Sequence, residues 1–366
     1  MLSFLILSTL LVKNDLSTEL FANYSKDTRP VNFINETVNM KMGITINSLE
    51  YFDQKAEKLK LNMELHMDWY DKFLMWNESE SESMIIPNYK IWLPDLELYN
   101  AAADPEEYES INSVVAYPNG HVFYDKPILY SFSCMLDLKE FPYDTQKCEM
   151  TFGSWKFDGP SLDIRLIDNP VQLSKDFSHN EWKVIDLNYE HQDMKYLCCP
   201  NTYWSINTFS IKFKRNSHKY KIIINHAIFI ALTAFTVSLI QPYNYRRAFV
   251  LVFVPLSVIW IQIDVADKIP IVAYSTKIEK ILLLTFITCI VLACESVALY
   301  CYLQHKKTEN YKKKQSRKIR KKLDYDIAVS ESEYIFSDQY LNKVQFVDKC
   351  NTLLNFIIYV MCMLIL

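Results

Sequence analysis

The sequence predicts a chain in two parts, an all-β sandwich up to residue 219 and an all-α bundle of four membrane helices after it. Three observations carry this. Before Tyr220, short runs alternate apolar and polar residues, as in Val38-Asn-Met-Lys-Met, Leu59-Lys-Leu-Asn-Met-Glu-Leu and Phe209-Ser-Ile-Lys-Phe. That is the period-two pattern of strands with one buried face, and Pro, Asn and Asp clusters punctuate it as in a sandwich. After Tyr220, residues 222–240, 248–266 and 281–302 are each about long enough to cross a bilayer, and three such runs in series leave no amphipathic face for a soluble core. Finally, positive charge is lopsided: Arg246 and Arg247 follow the first run, and ten Lys and Arg between 306 and 322 follow the third. Such residues stay on the cytoplasmic side, which leaves the N-terminal part outside the cell.

Composition excludes several function classes. With 366 residues there is room for two domains, and a net charge of -4 excludes a globally basic nucleic-acid binder. The four glycines, Gly43, Gly120, Gly153 and Gly159, are too scattered for a phosphate-cradling loop, a dinucleotide fingerprint or a nucleophile elbow. No His pair at metal spacing and no nucleophile motif appears, so neither a metal, a cofactor nor an enzyme is expected.

In order along the chain, residues 2–12 are apolar but too short to span, and fit a signal peptide over 1–19, although no Lys or Arg precedes them. Entry into the secretory route licenses disulfides. Three Asn-x-Ser/Thr acceptors, Asn23, Asn35 and Asn77, all fall before the membrane region. Residues 20–219 make the sandwich, opened by a terminal helix over 22–31. Cys134 and Cys148 bracket CMLDLKEFPYDTQKC; oxidised, they would close a loop worth ~2–4 kcal/mol, and Pro142 would stiffen its tip. Taken alone, this is a staple between two strands. Cys198 and Cys199 are adjacent. Their Cα atoms, about 3.8 Å apart, lie below the usual disulfide range of roughly 4.4–6.8 Å. A bond there would be strained, and two free or metal-binding thiols is the simpler reading of the pair alone. Residues 220–303 hold three spans. The loop 304–347 carries the basic run, which sets topology more economically than it makes a nuclear signal or a lipid patch. Residues 337–348 suit an amphipathic helix running into a fourth span, 348–366.

Four motifs point to a family. Phe141-Pro142-Tyr143-Asp144 inside the 134–148 loop, the opening Ala22-Asn-Tyr-Ser-Lys-Asp-Thr-Arg29-Pro30, Trp69-Tyr-Asp-Lys-Phe-Leu-Met-Trp76-Asn77, and Tyr196-Leu-Cys198-Cys199-Pro-Asn-Thr-Tyr203 resemble the Cys-loop pentameric ligand-gated ion channels. The last is similar to nicotinic acetylcholine receptor alpha-type subunits, and the resemblance covers nearly the whole chain. It implies disulfides Cys134–Cys148 and, vicinally, Cys198–Cys199. It also implies a cage of Tyr99 (in Trp92-Leu-Pro94-Asp95-Leu-Glu-Leu-Tyr99-Asn100), Trp155 (in Gly153-Ser-Trp155-Lys-Phe-Asp158-Gly159), Tyr196 and Tyr203 for acetylcholine or a related quaternary ammonium. Singly, each ring is as readily core packing. Together they offer cation–π faces, of which Trp is the best, at ~2 kcal/mol or more for a desolvated cation. The run Asn100-Ala-Ala-Ala-Asp104 departs from the family pattern. So does the complementary face, where Glu64 and Asp125 replace an aromatic and an apolar contact, so this chain is expected to supply the principal half of a site.

Resemblance also assigns a pore helix over 248–266, with Leu256 as gate and Asp267 as outer charged ring. Arg246 replaces the inner-ring glutamate of cation channels, and Phe249, Phe253 and Trp260 stand where small or aliphatic residues are usual. Coupling is expected from Phe141, Pro142 and Tyr143 against Lys268-Ile269-Pro270, and from Arg215, with Asp53 or Glu57 as its carboxylate partner. The implied protein is a multi-pass plasma-membrane subunit, with a postsynaptic membrane as one setting, lipid around it and other receptor subunits completing a hetero-pentamer. Its implied function is acetylcholine-gated, cation-conducting. The alternatives are a non-conducting acetylcholine-binding accessory or decoy subunit and an anion-selective channel subunit.

Overall fold

The computed structural model describes residues 16–107, 113–323 and 338–366; most of the expected signal peptide and part of the loop before the fourth span lie outside these. The described residues form two compact units, one running to Asp137 and including Thr145–Asn216, the other combining Leu138–Asp144 with Ser217–Leu366.

The first unit is built from eleven strands: β1 (Val38–Asp53), β2 (Lys58–Met75), β3 (Met84–Pro87), β4 (Glu97–Leu98), β5 (Glu106–Glu107), β6 (Ser113–Ala116), β7 (Asn119–Ser133), β8 (Thr145–Gly153), β9 (Leu162–Leu173), β10 (Trp182–Met194) and β11 (Trp204–Arg215). One sheet runs β3-β6-β7-β2-β1-β9 with β5 on β7, the other β10-β11-β8-β4. All pairings are antiparallel except β1 with β9. Strand β2 shows why: Leu59, Leu61, Met63, Leu65, Met67 and Trp69 are buried while the residues between them are not. Successive side chains of a strand point to opposite faces, so the alternation buries one whole face. The sheets meet through large rings, Tyr130 against Phe152 at 5.6 Å and Phe52 against Trp182 at 4.8 Å and Phe213 at 6.0 Å.

Asp71 breaks the apolar run of β2 and is wholly buried. Its carboxylate accepts from the Tyr24 hydroxyl at 2.6 Å and the Phe73 amide at 2.9 Å, while the Tyr24 oxygen accepts from the Trp92 amide at 2.9 Å. Burial pushes the Asp71 carboxyl above its ordinary value. The bridge ties the chain's opening to the sandwich. That opening differs from the expectation: the helical turns cover 16–21, and the expected helix at 22–31 is a series of turns. Pro30 and the Asn, Ser and Asp residues there favour turns. The Arg29 guanidinium then fixes the path by donating to the carbonyls of Ile34, Glu36 and Ser161.

In the second unit four helices are long and apolar enough to cross a membrane: α1 (His218–Ser238), α2 (Tyr245–Ala266), α3 (Lys277–Leu323) and α4 (Asp338–Ile365). Ala231, Ala234, Phe235, Leu251, Val258, Cys289, Leu292 and Tyr359 make their common core. Polar side chains within the apolar stretches bond to their own helix. Thr233, Ser257, Thr285 and Thr288 donate to carbonyls three or four residues back, and His226 meets the Ile222 carbonyl at 2.7 Å. This satisfies groups that hydrocarbon cannot. Where the sequence placed a loop after residue 303, α3 instead continues helical to Leu323. Lys, Gln, Arg and Glu are good helix formers, and Lys313 pairs with Glu309 one turn back.

Candidate ligand-binding site

Tyr99 leaves β4 with its amide on the Thr151 carbonyl and its hydroxyl donating to the Ser154 carbonyl at 2.6 Å. Its ring stands edge-on to Trp155, centroids 5.8 Å apart and planes at 89°. A Cβ at Gly153 would come within 2.8 Å of the Tyr99 hydroxyl, so only glycine lets β8 end this close to that ring. Burial first, then the neighbouring Tyr196 and Asp95, push the Tyr99 hydroxyl up to about 12. Tyr99 therefore stays a neutral donor across the physiological range.

Trp155 differs from Trp69, Trp92 and Trp182, which are all buried. It is 74% exposed while its backbone is fixed. Asp95 does the fixing: one carboxylate oxygen accepts from the Ser154 hydroxyl at 2.9 Å and from the amides of Trp155 at 2.8 Å and Lys156 at 2.7 Å. The indole is thus held out at the surface by a carboxylate that is itself nearly buried. Asp95 sits inside one of the motifs read from the sequence, but its bond to the Trp155 segment 60 residues away could not be read there.

Strands β10 and β11 form a hairpin whose tip, residues 195–203, carries the other expected residues. Tyr196 packs edge-on to Trp204 at 5.5 Å, a ring the sequence reading did not single out. Tyr203 lies against Gly159, where a Cβ would approach its ring to 2.0 Å, and its carbonyl accepts from the Gly159 amide at 2.6 Å. The structure therefore brings Tyr99 and Trp155 into contact, sets Tyr196 close enough to act on Tyr99, and seats Tyr203 against Gly159, four residues past Trp155. Cys198 and Cys199 are free thiols here, with sulfurs 2.9 Å apart, where a bond between them was expected. Cys134 and Cys148 are joined, with Cα atoms 5.1 Å apart.

On the opposite sheet Glu64 accepts from Asn47 at 3.0 Å, and Asp125 pairs with His66, whose other ring nitrogen meets the Thr45 hydroxyl at 2.7 Å. The bond to Asp125 raises the His66 titration above its ordinary value. This face is polar and internally bonded, with no aromatic at either Glu64 or Asp125.

Arg215 ends β11 with its guanidinium 4.1 Å over Trp182 and paired to Glu181 at 2.6 Å, a partner the sequence reading did not name in proposing Asp53 or Glu57. Beside the disulfide, the 138–144 tip packs within the helical unit. Phe141 meets Tyr220 at 4.7 Å, Tyr143 faces Lys221, and the Phe141 carbonyl accepts from Ile278 at 3.2 Å. The Tyr274 hydroxyl accepts from the Leu138 amide, and Lys277 pairs with Glu140. The described contacts thus reach Tyr274–Ile278, past the Pro270 segment first expected. The peptide bond before Pro142 is cis.

Helix α2 has two faces. Arg247, Ala248, Leu251, Pro255, Val258 and Val265 are buried. Arg246, Phe249, Phe253, Leu256, Trp260 and Asp267 are all exposed in the single chain, and their spacings of three, four and, before Asp267, seven place them along one stripe. Every residue assigned to the pore by motif shares that stripe.

A model of the neurotransmitter-gated ion-channel ligand binding domain matches residues 13–217. The chain is 29% identical over 265 residues to neuronal acetylcholine receptor subunit alpha-9-II of Oncorhynchus mykiss, covering 70% of this chain and 47% of that protein. It is 30% identical over 220 residues to subunit alpha-10 of Rattus norvegicus, covering 59% and 49%. With subunit alpha-6 of Homo sapiens it shares 28% identity over 256 residues, covering 69% and 52%. The chain spans about half the length of these curated relatives.

Proposed function

The chain belongs to the neurotransmitter-gated ion-channel family, and we propose that it is an acetylcholine-binding subunit of a pentameric ligand-gated channel, contributing principal faces to a hetero-pentamer. The observation that carries this is the exposed Trp155 indole, locked by Asp95 and flanked edge-on by Tyr99, with Tyr196 and Tyr203 on the adjoining segments. A large apolar ring is held at the surface against the usual preference for burial, which suits a ligand that desolvates it on binding. Quaternary ammonium groups are diffuse, weakly hydrated cations that rings can hold without a counter-charge. The relatives named as acetylcholine receptor subunits favour the same ligand. Binding at the hairpin would be felt through β11 to Arg215 and α1, and the 138–144 tip contacts the start of α1 and α3; these are the elements that would transmit it. A non-conducting, acetylcholine-binding accessory subunit is the second reading, favoured by the bulky stripe on α2.

Trp155→Ala is expected to weaken binding of a quaternary ammonium by about 1–3 kcal/mol, since a desolvated cation–π contact and its packing are lost together, while Trp155→Phe costs less. Radioligand displacement on the folded, assembled receptor checks this. Unchanged affinity in Trp155→Ala would place the ligand elsewhere.

Oxidation in the secretory route would close Cys198 and Cys199, already in contact, into a strained ring that stiffens the hairpin tip. Peptide mapping under non-reducing conditions should recover 134–148 and 198–199 pairs and leave Cys289, Cys294, Cys301, Cys350 and Cys362 as thiols. A 134–198 cross-link would contradict the proposed hairpin.

A further inference from the structure

A cavity of about 610 Å³ opens between the β2–β3 loop and the turn leading into β7, and none of the aromatic-site residues lines it. That volume lies within the roughly 300–1,000 Å³ of typical ligand sites. Glu78 and Glu82 line it on the loop side, and Tyr117, Asn119, His121 and Phe123 on the other. The two sides are fastened together. The Trp76 amide donates to the Pro118 carbonyl at 3.2 Å, and the Trp76 indole closes the loop on the Ser81 carbonyl at 2.9 Å. The aromatic side is organised too. Tyr117 stacks on His121 at 5.6 Å and 25°, and Tyr70 backs His121 at 5.2 Å. The Asn119 side-chain oxygen accepts from the His121 amide at 3.0 Å, and its NH₂ group is by nature a donor.

Stacked flat rings beside carboxylates and an amide form a surface that matches a sugar. The C–H face of a pyranose packs on an aromatic ring, and its hydroxyls and N-acetyl group pair with Asp, Glu and Asn. The nearest source of a sugar is the chain itself. Asn77-Glu78-Ser79 is a glycan acceptor, and its middle residue lines the cavity. Asn77 is exposed, with its side-chain oxygen turned back to accept from the Ser79 amide at 3.1 Å. We infer that the cavity seats the inner N-acetylglucosamine residues of a glycan carried on Asn77. The sugar stacks on Tyr117 and His121 and hydrogen-bonds to Glu78, Glu82 and Asn119. The glycan, covalently bound on the β2–β3 loop alone, then braces that loop against β7 through these non-covalent contacts.

Enzymatic deglycosylation of the folded, assembled receptor tests this, with release followed at each acceptor by mass spectrometry. Asn77 should be occupied and its glycan released about tenfold more slowly than that at the exposed Asn35, the factor that ~1.4 kcal/mol of contact supplies. Tyr117→Ala should speed release at Asn77 and leave Asn35 unchanged. Should Tyr117→Ala fail to fold, His121→Ala gives the same readout. An unoccupied Asn77, equal release at the two sites, or no acceleration in a folded variant overturns the inference. So does tetramethylammonium binding to the Asn77→Gln protein that is lost on Glu78→Gln and Glu82→Gln, which would assign the cavity to a free cation.

Discussion

Asp348→Ala is expected to destabilise the helical unit by about 3–5 kcal/mol, the cost of leaving a buried charge without its partner. Asp348 and Arg247 are both 2% exposed and form a two-pronged pair. Arg247 also donates to Ser296 on α3 at 3.0 Å and to the Ile240 carbonyl just past α1 at 3.0 Å. One guanidinium on α2 therefore joins all four helices at one end of the bundle. Arg's planar fork serves several acceptors at once, which a lysine could not. Melting of the detergent-solubilised protein and its yield at the cell surface should both fall in Asp348→Ala and in Arg247→Ala. Replacing the pair together, Arg247→Met with Asp348→Leu, should restore much of the loss, because a fitted apolar pair avoids the desolvation cost. Single variants that melt and traffic as the parent does would show that the pair holds nothing.

That pair marks where the sequence stopped being informative. Arg246 and Arg247 read alike as charges setting topology, and although the resemblance gives Arg246 a place at the inner mouth, nothing in the sequence marks Arg247 as a bundle residue. The structure separates them, because neighbouring residues on a helix point about 100° apart: Arg246 joins the exposed stripe and Arg247 turns into the bundle. Arg215 tells the same story. Its partner Glu181 lies 34 residues away and becomes a neighbour only through the register that sets Trp182 opposite Arg215. By contrast, strand β2 and the apolar spans were legible because each rests on a local period or a length. The site was legible as residue types, through Tyr99, Trp155 and the paired cysteines. Asp95, which holds Trp155 in place, and Trp204, which backs Tyr196, were not, since their roles exist only after β4, β8 and the hairpin come together. The continuation of α3 through the basic run was missed for another reason. Charge was read as a signal of topology, although Lys and Arg favour helix as well.

Expressed alone, the chain is expected to give no acetylcholine-evoked current. The exposed stripe of α2 is the reason. Phe249, Phe253, Leu256 and Trp260 are 52–77% exposed, and the rings of Phe249 and Phe253 touch at 5.0 Å. In a closed ring of identical subunits each of these residues recurs once per subunit around the axis. The bulky side chains would then form successive apolar girdles in one narrow lumen. Such constrictions stop ions by steric closure and by expelling water. Arg246 at the start of the helix would add a ring of positive charge, which opposes cation entry. Diluted among subunits with small polar residues at these positions, one or two copies would leave a passable lumen. Glu64 and Asp125 point the same way, because a self-complementary site would face Trp155 with carboxylates already bonded to Asn47 and His66. Voltage-clamp recording, with surface labelling to establish that protein is present, decides the matter. Silence alone and current with partner subunits is the expected result, and changing Phe249, Phe253 and Trp260 to Ser should relieve the block in the homomer if the girdles cause it. Robust current from the unmodified chain by itself would mean that the stripe does not line the pore.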